Sequence, residues 1–414
     1  MKINLGDSAF IIICSALVFL MTPGLALFYG GMVRRKNILN TLMSSVFICG
    51  LASVMWVLVG YSLSFGEDFF GIIGRLNYFG MIGVGAEPSS YAPGIPQMLF
   101  AAFQMMFAIS APALITGSLV ERMKFSALFI FIAAWLLLVY YPMAHMVWGN
   151  GGLINSLGAV DFAGGNVVHI SAGVSGLVAC IMLGKRIGYG RMAYRSCNIP
   201  LVVIGTGLIW FGWFGFNAGS AFSAGPLAVH AFMTTNTSAA TAMLSWMLVE
   251  KVKQGKPTML GAVTGAIVGL VAITPGAGFV PLWSAIIIGT IVAPISYLFM
   301  GTIKYKLGCD DALDAFGCNG IGGSLGGIAV GIFGKTTINP AVKWNGLFFG
   351  DGRLFIAQIS GIAITIVFSA VMTFLIIKVI KVFMNIRVES SVETEGLDVA
   401  EHGETAYPAF NGFD

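Results

Sequence analysis

Charge is missing from this chain over stretches too long for a soluble fold. Uncharged runs extend from Ser8 to Val33, Asn37 to Gly66, Pro88 to Val120, Phe125 to Val160, Phe162 to Gly184 and Ser196 to Val249. Three more run from Pro257 to Ile303, Ala315 to Gly334 and Leu354 to Ile377. A helix needs ~20 apolar residues to cross the ~30 Å hydrocarbon core of a bilayer. The Ser196 run holds two helices, with a break around Asn217 to Pro226, and the Pro257 run is also double, interrupted at Thr274, Pro275 and Gly276. The pattern predicts an all-α polytopic membrane protein of eleven transmembrane helices with its termini on opposite faces. Only 10% of the residues are charged, against roughly 25% in an ordinary soluble domain, so most of the surface is left to lipid. The 55 glycines sit inside apolar runs, where small residues let helices approach closely.

Lys and Arg set the direction. Of the 22, 17 fall after helices 1, 3, 5, 7, 9 and 11, among them Arg34, Arg35, Lys36, Arg122, Lys185, Arg186 and Lys253. Lys2, Arg75, Lys335, Lys343 and Arg353 make up the opposite face. The positive-inside rule predicts N-terminus out and C-terminus in, with the first run a retained helix rather than a cleaved signal. The expected location is the cell membrane, spanned many times. Residues 1–387 form one membrane domain. Residues 388–414 form an acidic cytoplasmic tail with seven acids and no Lys or Arg, read as a solvated terminus. Cys14, Cys49, Cys180, Cys197, Cys309 and Cys318 show no metal-ligand spacing, and most of them are read as small buried hydrophobes.

An internal repeat emerges when His169 is set over Asn319. Gly173 then meets Gly323, Gly176 meets Gly326, and Ala179 meets Ala329. Helix 5 thus corresponds to helix 10, and an offset of five spans reverses direction, as in inverted-repeat transporters with a site near midplane.

Ionisable groups within a bilayer mark pathways by default. Asp161 stands at the edge of helix 5, and His169 lies about two turns further, inside apolar sequence. His169 has two readings, a satisfied core imidazole or a pore group. His145 ends helix 4, His230 follows a Gly/Pro break and His402 is in the tail. Phe103, Phe107, Trp148 and Phe216 fall near the outer ends of helices 3, 4 and 6, where aromatics are ordinarily belt or packing residues. With the hydroxyl of Ser220 they could cage a small cation through cation–π attraction. Asp310, Asp311 and Asp314 precede helix 10 and suit its N-terminus. No nucleophile–base arrangement, HExxH, CxxC or nucleotide loop appears, so an enzyme, a metal site, a cofactor and nucleic-acid binding are not expected.

Several segments together resemble the Amt/Mep/Rh ammonium transporter family along nearly the whole chain. They are PGLALFYGGMVRRKN, FQMMFAISAPALITGSLVERMKF, YPMAHMVWGNGG, DFAGGNVVHISAGVSGLV, WFGFNAGSA, GAVTGAIVGLVAITPGAG, DDALDAFGCNGIGG and GLDVAEHGETAY. The resemblance implies eleven helices, an N-out, C-in orientation, an inverted repeat of helices 1–5 and 6–10, and a homotrimer with one pore per subunit. It places an external ammonium site at Phe107, Trp148 and Ser220 with Phe103 beside it, and a gate at Phe107 and Phe216. It makes Asp161 a support of that site and an aid to deprotonation, and His169 the first of two pore histidines. It implies methylammonium as a substrate analogue and a cytoplasmic PII-type regulator acting through the tail.

One position departs from the pattern, because Asn319 stands where the family usually has the second histidine. An amide donates and accepts hydrogen bonds but carries no proton, and its carbonyl could face a dehydrated cation. The leading expectation is a transporter that binds ammonium outside, strips its proton and passes ammonia by His169 and Asn319. Asn319 also motivates an alternative, an ammonium-binding sensor with impaired or altered transport, less selective against potassium. A neutral gas channel of the Rh type is the third, opposed by the aromatic site at Trp148.

Overall fold

The computed structural model describes residues 2–407; Asp414 and the end of the tail from 408 lie outside the described residues. Among the described residues nine helical segments are long and apolar enough to cross a membrane. They are α1 (Leu5–Met32), α2 (Arg35–Phe65), α3 (Gln97–Leu119), α4 (Phe125–Ser156), α5 (Gly165–Leu183), α6 (Ile199–Gly219), α9 (Leu282–Lys306), α10 (Phe316–Phe333) and α11 (Arg353–Phe383). Between them lie α7 (Pro226–Gln254) and α8 (Met259–Ile273). The run Thr234 to Ser238 dilutes the hydropathy of α7, and α8 has only 15 residues. The interruptions after α6 and after α8 fall where Gly and Pro mark them in the sequence.

Successive helices run up and down, so the connections sort onto two faces. One carries the hairpins β1 (Asp68–Phe69) with β2 (Ile73–Gly74) and β3 (Pro88–Ser89) with β4 (Ala92–Pro96). On the other, Asn198 N–H bonds Gly31 O, Lys124 N–H bonds Ile386 O, and the tail folds back. α5 and α10 cross antiparallel at the centre. A Cβ on Gly173 would collide with the backbone of Gly320, and one on Gly323 would meet His169 and Ile170. Only glycine permits that approach. Both helices open on a six-residue π turn, Gly165–Ile170 and Phe316–Ile321, a wide turn frequent at functional sites. Each π turn has an aspartate at its start, since Asp161 accepts from Gly164, Gly165, Asn166 and Val167 N–H, and Asp311 from Ala315 and Phe316 N–H.

The hairpin-free face is tied by buried charge. Arg186 pairs with Asp310 and Glu121, and Arg34 with Glu121. Burial pushes the Glu121 and Asp310 carboxyls up, but the arginines outweigh it and hold both below the usual range. Arg122 is buried and donates to the carbonyls of Ser118, Val120 and Gly184, at the ends of α3 and α5, and to that of Asp310 before α10.

The described part of the tail, residues 388–407, is not a solvated terminus, which corrects the sequence reading. It forms α12 (Ser390–Glu395) and α13 (Leu397–His402), with Glu393 and Asp398 buried. Its acids meet unpaired N–H groups of the membrane domain. Asp398 Oδ1 accepts from Asn40 N–H at the start of α2, Glu401 from Phe125 N–H at the start of α4, and Glu393 from Ile187 N–H and Arg387. Burial pushes the Asp398 carboxyl up, against the opposing pull of the backbone amides of Asn40, Leu39 and Ile38. A chain ending after Val392 loses all three acceptors. Loss of a cap costs about 0.5–2 kcal/mol, so that truncation is expected to assemble and insert but to melt several degrees lower. An unchanged melting temperature would show that the tail rests on the domain without supporting it.

Candidate functional site

The residues expected to recognise substrate converge below the hairpin face, around a cavity of about 340 Å³. Phe107, Trp148, Asp161 and Ser220 all line it. Trp148 stands edge-on to Phe107, with ring centroids 6.0 Å apart. Its Nε1–H donates to the Asp161 carbonyl at 2.9 Å, which anchors the ring in the wall. Ser220 Oγ donates to Phe216 O, leaving its lone pairs available. Phe103 is buried and packs edge-on behind Phe107, filling space that Gly219 leaves open, so it is outside the cavity lining.

Phe107 and Phe216 stack at 4.2 Å and 25°, with Phe107 lining the outer cavity and Phe216 standing beneath it. Phe216 faces a second, small cavity of about 30 Å³, whose lining includes Thr22, Ser110, His169, Trp213 and Asn319. Its walls are otherwise apolar, from Met21, Leu25, Leu114, Val168, Ile209 and Ile267. Beyond Asn319, Cys318 borders a third cavity of about 710 Å³ on the opposite face, which also takes in Arg186, Asp310 and Asp314. Three spaces therefore succeed one another, with the narrowest at the crossing of α5 and α10.

The hydrogen bonds at the crossing define the protons. Asn319 Nδ2 donates to Ala315 O at 3.0 Å, which turns the amide oxygen toward His169. Asn319 Oδ1 lies 2.9 Å from His169 Nδ1. An amide oxygen only accepts, so Nδ1 carries the hydrogen and neutral His169 presents the lone pair of Nε2. Nε2 has no partner among the described residues. Trp213 stacks on the imidazole at 5.2 Å and 9°, held by its own bond from Nε1 to Thr274 Oγ1. The carbonyl expected to face a cation is thus engaged by His169.

Asp161 accepts four backbone N–H bonds and so serves as the anchor of the π turn that carries His169. The other histidines lie elsewhere. His145 is buried between Ser64 O and Asp68, His230 bonds Val280 O, and His402 meets Asn40. Three polar or aromatic groups escaped the sequence reading: Gln104, Trp213 and Thr22. Gln104 lines the outer cavity, its Oε1 without a partner among the described residues, and its place three residues before Phe107 was a usable signal. Trp213, three residues before Phe216, offered the same one. Among the described residues no cluster of three His, Cys, Asp or Glu is placed to hold a metal ion.

This arrangement can be set beside known proteins. The model of the Ammonium Transporter Family matches residues 9–407. An ammonium transporter of Bacillus subtilis is 51% identical over 98% of this chain and 99% of its own. The ammonium transporter Amt1 of Archaeoglobus fulgidus is 44% identical over 97% of this chain and 99% of its own. The crystal structure of Saccharomyces cerevisiae Mep2 superposes with a TM-score of 0.88 at 33% identity, covering 94% of this chain and 88% of that one. This chain belongs to the ammonium transporter family, whose members are membrane transporters rather than enzymes.

Proposed function

We propose that ammonium binds in the outer cavity between Trp148, Phe107 and Ser220, gives up its proton there, and crosses as ammonia past the Phe107–Phe216 gate to His169 and Asn319. The observation that carries this reading is the small, mostly apolar cavity below the stacked gate, into which one imidazole turns a lone pair. Potassium resembles ammonium in charge and also favours aromatic faces. It cannot shed its charge, and a bare ion in a dry passage is heavily penalised. Asp161 assists by holding the wall of the binding cavity and favouring loss of the proton beside it.

The same reading treats all eleven long helices as spans, related as an inverted repeat of helices 1–5 and 6–10, with the hairpin face outside and the tail face in the cytoplasm. The charge split and the matched π turns of α5 and α10 support it. It places the protein in the cell membrane as a homotrimer with one pore per subunit. The membrane domain is 1–387, and the tail, 388–414, is the segment through which a cytoplasmic PII-type regulator acts.

Trp148→Leu tests the recognition step in vesicles carrying the purified protein. Cation–π attraction contributes ~0.5–2 kcal/mol, so half-saturation for ammonium is expected to rise by about tenfold or less, with maximal flux largely kept. Unchanged half-saturation would reduce Trp148 to a packing residue and sink the proposed site.

A further inference from the structure

Among the described residues, the buried polar side-chain atoms that lack a partner in the protein include only two from residues lining the inner cavity. One is His169 Nε2, and the other is Thr22 Oγ1. Thr22 lies in α1 just before Pro23 and is 1% exposed. A hydroxyl inside a helix usually donates to the carbonyl three or four residues back. Thr41, Thr206, Thr235, Thr264, Thr274 and Thr365 all do so here. For Thr22 those carbonyls belong to Phe19 and Val18, and Pro23 frees the Phe19 carbonyl further because it brings no N–H. Neither bond is made, and an orphaned buried hydroxyl is costly to keep. Ser110, the other hydroxyl in the lining, is already satisfied by Met106 O.

We infer that Thr22 is a substrate-contacting residue of the passage: its O–H donates to the lone pair of ammonia while an ammonia N–H donates to His169 Nε2. A molecule of that size needs roughly 10–15 Å³ of such space, and the cavity of about 30 Å³ provides it. Ammonia has three N–H donors and one lone pair, so it satisfies a free donor and a free acceptor together. Ammonium has no lone pair for the hydroxyl proton, and potassium has neither donor nor acceptor. The hydroxyl proton therefore finds an acceptor only in the neutral form, ammonium and potassium meeting Thr22 through its oxygen alone, whereas the imidazole lone pair reads only an N–H. This assignment rests on the reading that ammonia passes His169 in neutral form.

The test compares Thr22→Val, which keeps shape and removes the hydroxyl, with Thr22→Ser, which keeps the hydroxyl. Ammonium flux is measured in vesicles, normalised to assembled protein. Loss of one hydrogen bond in the passage is expected to lower maximal flux about three- to tenfold in Thr22→Val. Half-saturation, set in the outer cavity, should stay put, and Thr22→Ser should recover most of the flux. If the valine form does not assemble, Thr22→Ala takes its place with the same expectation. Equal flux in the hydroxyl-free and parent proteins would overturn the assignment, as would a serine form no better than valine, which points to packing. A parent protein with no saturable ammonium flux would instead overturn the proposed transport route.

Discussion

Replacing Asp161 with alanine is expected to abolish ammonium flux while leaving ammonium binding in the outer cavity largely intact. The split follows from what each part of Asp161 does. Its carboxylate accepts N–H groups of Gly164, Gly165, Asn166 and Val167, with its two oxygens at 2.6–2.8 Å from the first three. These are the orphan donors of the start of α5, and all four residues are buried. Each buried N–H left without an acceptor costs about 1–3 kcal/mol, so the π turn must refold locally and His169 moves with it. The Asp161 carbonyl, by contrast, survives the substitution and keeps its bond from Trp148 Nε1. Asp161→Asn retains one acceptor oxygen and should fall between the parent and the alanine form. Methylammonium uptake and equilibrium binding on the same vesicles separate the two effects. Parental uptake by Asp161→Ala would show that the carboxylate neither shapes the passage nor assists loss of the proton.

The spans were legible because charge is a one-way signal in lipid: the runs without it are where the long apolar helices stand. The breaks at Asn217 to Pro226 and Thr274 to Gly276 were legible for a backbone reason, since Gly and Pro end helices regardless of packing. Trp148, Phe107, Ser220 and Asp161 were grouped as site candidates in the sequence, and they line one cavity. Phe103 was grouped with them because it falls near the outer end of the same helix as Phe107 and because the family resemblance places it beside the site. The lateral drift between those positions and the room beside Gly219 put it behind the wall instead. The tail was misread because acidity is visible in a sequence while the groups it neutralises are not. Glu393, Asp398 and Glu401 answer backbone N–H groups, which every residue but proline carries and no composition reveals. Thr22 was invisible for the opposite reason. Many helical threonines bond their own helix, so only the structure picks out Thr22 as the buried threonine whose hydroxyl has no partner among the described residues.

Asn319→His is expected to convert a passage that carries ammonia without its proton into one that passes net charge, raising ammonium-driven current by at least about tenfold. Current scales with the rate of proton crossing, and tenfold corresponds to only ~1.4 kcal/mol in the barrier. In this chain the proton has nowhere to go beyond His169. If Nε2 captures a proton, Nδ1 still donates to Asn319 Oδ1, and an amide oxygen gives no proton onward. The other end of the amide is tied to Ala315 O. An imidazole at 319 supplies both an acceptor nitrogen for the Nδ1 proton and a second nitrogen that releases one toward the 710 Å³ cavity beside Cys318. Potassium current should stay low in both forms, because the amide oxygen is already engaged by His169 and is poorly placed to replace a hydration shell. Half-saturation should not change, since Trp148, Phe107 and Ser220 line the outer cavity and Asn319 lines the inner one. The measurement is planar-bilayer current for the two forms under ammonium and then under potassium gradients. Identical ammonium currents would mean that protons bypass position 319, and a potassium current in the parent would mean that the Asn319 oxygen leaves His169 to meet the ion.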